Sequence, residues 1–179
     1  MLGHGAGGGV EARDLVAAAE AANAQQLTVA LVEQPYRVAG RKSPAPAAQL
    51  DTAWTAVLEQ LRAGELRGLP VICGGRSSGA RVACRTAREV GAAAVLCLAF
   101  PLHPPGKAGD PSKSRLGELE AVDVPVLVVQ GESDPFGMPP EAPTRQVVRL
   151  RGNHSLRSDR EGLRSAVRGW LEERLSQAA

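Results

Sequence analysis

Aromatic residues are scarce. Phe, Trp and Tyr make up 3% of the 179 residues, so a core has to be assembled from alanine, valine and leucine. Charge of one sign is also lacking: the net value of +2 leaves no basic surface of the kind that tracks nucleic acid or an anionic membrane. Cysteine is limited to Cys73, Cys84 and Cys97, an odd number whose spacing fits no zinc pattern. All three lie in apolar runs, which points to buried, reduced thiols and away from a disulfide framework. No apolar run reaches membrane-spanning length, and no signal-peptide or lipidation pattern is seen, so a cytoplasmic location is expected. Histidine occurs only as His4, His103 and His154, which narrows the search for a general base.

What is present is ordinary globular composition, 44% hydrophobic and 22% charged. The length suits one domain over 1–179 with a real core, and is too short for two comfortable ones. Apolar β-rich runs at 27–32, 70–74, 94–100, 125–130 and 146–150 alternate with helical patterns at 14–24, 49–64, 80–90, 114–122 and 158–176. In the second of these helices Leu50, Ala53, Trp54, Val57, Leu58 and Leu61 recur on one face. Such alternation argues for an α/β fold with a mostly parallel sheet and helices on both faces. Two proline-bearing stretches, 34–48 and 101–113, follow strands and should project from the carboxyl edge of the sheet, where open α/β sheets keep their sites.

The most informative run is Gly75-Arg76-Ser77-Ser78-Gly79. It fits Gly-x-Ser-x-Gly, a nucleophile on a tight turn between a strand and a helix. The strand is there in Val71-Ile72-Cys73. The helix follows, with the small residues Ala80, Ala83, Cys84 and Ala87 on one face, suited to close packing on a sheet. Arg81, Arg85 and Arg88 read as its solvated face.

A serine hydroxyl needs a base, a carboxylate to orient that base, and donors for the oxyanion. His154, in the loop between the last strand and the last helix, is placed to be the base. Asp134, in Gly131-Glu132-Ser133-Asp134-Pro135-Phe136-Gly137 just beyond the fourth strand, is the candidate acid, with Glu132 in reserve. Asp51, Asp110 and Asp159 read as helix caps or outer-loop residues. The chain order Ser77, Asp134, His154 is the one that accompanies this motif. Oxyanion donors are expected from the backbone N–H of Ser78 and, in the run Gly3-His4-Gly5-Ala6-Gly7-Gly8-Gly9, from that of Ala6. The run could instead cradle a phosphate, but the lysine and Ser/Thr of a P-loop are absent. His4 reads as structural and His103 as part of a pocket wall or its loop. Arg37, Arg41 and Lys42 read as a solvated basic loop, with contact to an acidic substrate as the other option.

His-Gly-Ala-Gly-Gly at 4–8, Gly-Gly-Arg-Ser-x-Gly-x-Arg at 74–81, Pro-Leu-His-Pro-Pro-Gly-Lys at 101–107, Gly-x-x-Asp-Pro-Phe-Gly at 131–137 and Gly-Asn-His-Ser at 152–155 together resemble the small dienelactone-hydrolase-like α/β-hydrolases. These include bacterial relatives of the hydrolase-like domain of a subunit of the NSL chromatin complex and testis-expressed homologues. The resemblance spans nearly the whole chain. It implies an α/β-hydrolase fold without a large lid domain, and Ser77, Asp134 and His154 as nucleophile, acid and base. Three departures stand out. Ser78 replaces the methionine frequent after the nucleophile. Ala80 replaces a second glycine. Only Met1-Leu2-Gly3 precede the glycine-rich loop, where the fold has a central strand, and a strand usually needs about five residues. Either the sheet has a short rung in its middle or the start is misplaced or truncated; the latter is the expectation.

The function expected is a serine hydrolase acting on small-molecule carboxylic esters or thioesters through an acyl-enzyme, with no cofactor or metal and no nucleic-acid or membrane partner. Serine at the elbow, where true dienelactone hydrolases carry cysteine, favours carboxylic esters. The alternatives are an α/β-hydrolase fold used as a non-catalytic protein-interaction module, and acyl transfer to an acceptor other than water.

Overall fold

In the computed structural model, which describes residues 1–108 and 110–178, the strand–helix alternation builds a six-stranded parallel sheet. Strand β1 (Leu2–Gly3) leads through the glycine-rich loop to α1 (Arg13–Ala24). Strand β2 (Leu31–Val32) is followed by a one-turn helix α2 (Pro35–Val38) and by α3 (Ala47–Ala63). Strand β3 (Ile72–Arg76) runs into α4 (Ser78–Thr86). Strand β4 (Ala94–Leu98) precedes a 3-10 turn (Pro111–Lys113) and α5 (Leu116–Glu120). Strands β5 (Val126–Gly131) and β6 (Arg145–Leu150) are joined by a loop, and α6 (Arg160–Ala178) completes the described chain. The order across the sheet is β2-β1-β3-β4-β5-β6.

Each strand alternates side chains between two cores, as a period of two requires. Val95, Cys97, Val126 and Val128 face α3, α4 and α5, where Trp54, Leu58, Val82 and Ala83 are buried. Leu96, Leu98, Leu127 and Val129 face α1 and α6, against Leu15, Ala18, Leu163, Val167 and Trp170. Strands covered on both faces read as near-continuous apolar runs, which is why β4 and β5 stand out in the sequence. The small residues Ala80, Ala83, Cys84 and Ala87 are all buried and seat α4 on the sheet. All three cysteines are free thiols in the interior, with Cys84 Sγ and Cys97 Sγ 3.5 Å apart. The neighbouring Cys84 sulfur and burial together hold the Cys97 thiol well above its ordinary pKa. Among the described residues no helix is long and apolar enough to cross a membrane.

Several elements depart from the sequence reading. The first long run, 27–32, yields a strand only at Leu31–Val32, because its one neighbour in the sheet, β1, has two residues to pair (Leu2 with Leu31, Gly3 with Val32). In this chain the rung between β2 and β3 is the two-residue β1. The 34–48 stretch is not all loop: α2 forms within it and buries Tyr36. Arg81 and Arg85 do not make a solvated face. Arg81 pairs with Glu118 at 2.8 and 2.5 Å, and Arg85 grips Asp51 with two bonds of 2.8 and 2.6 Å. These pairs tie α4 to α5 and α3, and only Arg88 of the three is exposed. Asp51 is thus a partner of Arg85 and not a cap. Asp110 and Asp159 do cap, accepting from the N–H groups of Ser112 and Gly162.

Candidate active site

The carboxyl ends of β3, β5 and β6 bring together residues far apart in the chain. At the end of β3 the backbone reverses sharply into α4. Ser77 sits on that turn with φ 51° and ψ −108°, a conformation that costs a non-glycine residue about 1–3 kcal/mol. Its N–H is fixed by the Leu98 carbonyl at 2.9 Å. The turn is possible because Gly75 and Gly79 let the β1 backbone pass against it. A Cβ on either would collide with the carbonyl oxygen of Gly3. Ala80, where a second glycine was expected, fits with no exposed surface.

Ser77 Oγ lies 2.9 Å from His154 Nε2, and His154 Nδ1 lies 2.8 Å from Asp134 Oδ2. A carboxylate only accepts, so Nδ1 carries the proton toward Asp134 and Nε2 is free to accept from the Ser77 hydroxyl. The Asp134 side chain is 1% exposed and is held by three donors. Phe136 N–H donates to Oδ1 at 2.9 Å, and Gln130 Nε2 joins His154 on Oδ2 at 2.9 Å. The loops carrying Asp134 and His154 are bound to each other as well. Glu132 N–H donates to Leu150 O and Ser133 N–H to Gly152 O, both at 2.9 Å. Gly131 allows this closeness, since a Cβ there would meet the Asn153 carbonyl. The Phe136 ring packs on the His154 imidazole with centroids 4.3 Å apart.

The glycine-rich loop runs alongside the elbow. The Gly5 carbonyl accepts from His4 Nδ1 at 2.8 Å and from Gly8 N–H at 3.2 Å. In a trans peptide the N–H points opposite to the C=O, so anchoring the Gly5 oxygen aims the Ala6 N–H the other way. The next carbonyl, that of Ala6, accepts from the Tyr36 hydroxyl at 2.9 Å. Ser78 is the first residue of α4, and its N–H has no intrahelical acceptor. Neither the Ala6 nor the Ser78 N–H has a hydrogen-bond acceptor among the described residues. His4 is fully buried, donating through Nδ1 and accepting the Gln34 N–H at Nε2 (2.9 Å), so it is a neutral strut beneath the loop.

The remaining candidates sit elsewhere or do other work. The Glu132 side chain is exposed and takes no part in the His154 network. His103 is clipped to the loop carrying Asp134, its N–H donating to Phe136 O at 2.9 Å and its ring lying against Gly137. Arg41 and Lys42 are exposed in the loop after α2. Gln130, Phe136 and Tyr36 were not singled out in the sequence. Gln130 reads there as the last residue of a strand; in the structure its amide nitrogen also lies 3.0 and 2.9 Å from Phe100 O and Gly137 O, so its two hydrogens are shared among three acceptors. All three neighbours are acceptors, which fixes the amide orientation. Among the described residues no three His, Cys, Asp or Glu side chains gather in a way that could hold a metal ion.

Similar structures carry the same architecture. The chain resembles a serine hydrolase without a lid from Xanthomonas campestris (21% identity, 96% of this chain and 80% of that one, TM-score 0.75). It also resembles an alpha-beta serine hydrolase homologue from Coxiella burnetii (16% identity, 96% and 85%, TM-score 0.72). A third is the monoacylglycerol lipase of Paleococcus ferrophilus (15% identity, 97% and 93%, TM-score 0.72). At such identities the likeness speaks for the fold alone. No curated protein matches the sequence. Residues 1–165, from the short first strand through both loops of the site, match one described family, and the chain belongs to it: the alpha/beta hydrolase domain family.

Proposed function

We propose that this protein is a serine hydrolase that cleaves small carboxylic esters or thioesters through an acyl-enzyme, within the dienelactone-hydrolase-like branch of its family. The observation that carries this reading is the unbroken hydrogen-bonded chain Ser77 Oγ, His154, Asp134, with links of 2.9 and 2.8 Å. Ser77 Oγ attacks the acyl carbon while His154 Nε2 takes its proton. Asp134 keeps the imidazole in the tautomer that can accept, and stabilises the imidazolium that forms. The negative charge on the carbonyl oxygen is received by the N–H groups of Ala6 and Ser78, each such donor contributing about 10²–10³ in turnover. His154 then returns the proton to the leaving alcohol or thiol. Water, deprotonated by the same imidazole, releases the acid and restores Ser77.

The test is covalent labelling with a fluorophosphonate probe alongside turnover of a panel of short p-nitrophenyl esters. Wild-type protein is expected to be labelled and to turn over the shorter acyl chains, and Ser77→Ala to do neither. Labelling that persists unchanged in Ser77→Ala puts the nucleophile elsewhere. A wild type that is neither labelled nor active defeats the hydrolase reading and leaves the fold as an interaction module.

A further inference from the structure

The residue between Gly75 and Ser77 is unspecified in the elbow motif; here it is Arg76, and its guanidinium reaches three separate parts of the site. Nε donates to Asp14 Oδ2, on α1, at 2.6 Å. Nη2 donates to the main-chain carbonyl of His154 at 3.2 Å. Nη1 lies over the glycine-rich loop, so close to Gly5 that a Cβ there would stand 2.6 Å from it. The anchor is firm. Asp14 is 2% exposed in its side chain, and its Oδ1 accepts the Leu15 N–H at 2.9 Å. A carboxylate so buried is costly unless it is paired, so the Asp14–Arg76 contact is strongly favoured once α1 packs. The two ring bonds of His154 orient the imidazole; the Arg76 bond holds the backbone from which it hangs.

We propose that Arg76, anchored by Asp14, is a positioning residue that holds the His154 main chain in register with Ser77. A planar fork with several donors can hold the Asp14 carboxylate and the His154 carbonyl at once; a lysine ammonium on a flexible stem can reach one of them at a time. Because this rests on the serine-hydrolase reading, wild-type turnover of a short p-nitrophenyl ester is measured first. Arg76→Met is expected to lower kcat about 100-fold, the scale of a misplacement of about 1 Å, with KM changed less than about threefold. Arg76→Lys should fall between it and wild type. Low-millimolar guanidinium chloride should restore part of the lost Arg76→Met activity where sodium chloride does not. In a His154→Ala background most of the Arg76→Met loss should vanish, since a group acting through the imidazole has nothing left to position.

Wild-type kcat in a folded Arg76→Met variant overturns the proposal. So does a full loss that persists in the His154→Ala background, which is what a merely structural arginine gives. If Arg76→Met melts too low to assay, Asp14→Asn carries the same test, and unchanged kcat there overturns it too. A wild type with no turnover removes the hydrolase reading together with this one. An active wild type with indifferent Arg76 and Asp14 variants removes this one alone.

Discussion

Gly75 and Gly79 flank Ser77, and Gly7 and Gly8 lie in the N-terminal loop beside it, but the two pairs are surrounded very differently. At the elbow, a Cβ on either glycine collides with the Gly3 carbonyl; one on Gly75 would also sit 2.8 Å from the Gly79 carbonyl carbon, and one on Gly79 2.9 Å from His4 O. Every obstacle is backbone, which yields only if β1, the start of the glycine-rich loop or the elbow turn itself moves. In the loop, a Cβ on Gly7 meets nothing within 4 Å, and one on Gly8 meets only the Ala12 methyl at 3.9 Å. Neither of these has a positive φ. The elbow glycines are demanded by close approach of two chain segments. Gly7 and Gly8 are demanded by neither space nor backbone angle, and what fixes the loop is instead the set of bonds on the Gly5 and Ala6 carbonyls.

That contrast can be broken most forcefully at the elbow. Gly79→Ala or Gly75→Ala should cost more than about 4 kcal/mol, the range reserved for a named structural conflict, and leave little folded protein by circular dichroism. A variant that melts near wild type would mean that β1 is not held where it lies. Ser77 sharpens the comparison from the other side, as a non-glycine with φ 51° in the same turn. Ser77→Gly should be more stable than Ser77→Ala by about 1–3 kcal/mol in urea unfolding, through release of backbone strain. Equal stabilities would show an unstrained turn.

Smaller effects are expected in the loop. Tyr36→Phe removes the hydroxyl that donates to Ala6 O and should cost about 1 kcal/mol. Burial pushes the Tyr36 phenol up, with Arg37 pulling partly back. Its folded pKa therefore lies above the unfolded value of about 10, so its contribution is intact below that pH and is lost as pH rises through the folded value. Burial acts in the same direction on the Cys73 thiol, whose share begins to be lost above about pH 8.5. A melting series from pH 8 to 11 should thus fall steadily in wild type and less steeply above about pH 10 in Tyr36→Phe; superimposable curves would deny the phenol a part. The smallest change is Gly8→Ala, expected to shift stability by less than about 0.5 kcal/mol. A large loss there would mean that the loop needs its glycine for a reason other than space.

Much of this molecule was legible in its chain. Alternating runs gave the strands and helices, since β4 and β5 are buried on both faces and α4 carries its small residues inward. Ser77, Asp134 and His154 were picked out because each stands just past a strand in a motif whose turn chemistry is local, and the structure brings their side chains within hydrogen-bond distance. Gln130 and Tyr36 were not found, Arg76 stood in a quoted motif without a role, and Arg81 and Arg85 were misread. The reason is the same in each case: their partners lie on other elements, as Phe100 does for Gln130, Ala6 for Tyr36, Asp14 for Arg76 and Glu118 for Arg81. Periodicity reports which way a side chain faces, and not what waits there. The shortness of β2 was hidden likewise, because the 27–32 run has strand composition throughout and only its neighbour limits the ladder.

The sequence by itself determined the layering, the chain order of Ser77, Asp134 and His154, and the turns that bear them, because hydrophobic period and glycine or proline placement act over a few residues. The tertiary structure alone decided which glycines are indispensable, which arginines are paired, and how the loops carrying Asp134 and His154 are locked together. Those outcomes depend on distances between segments far apart in the chain, as in the bond from Arg76 to His154 O across 78 residues, and such distances exist only once the sheet has closed over its two cores.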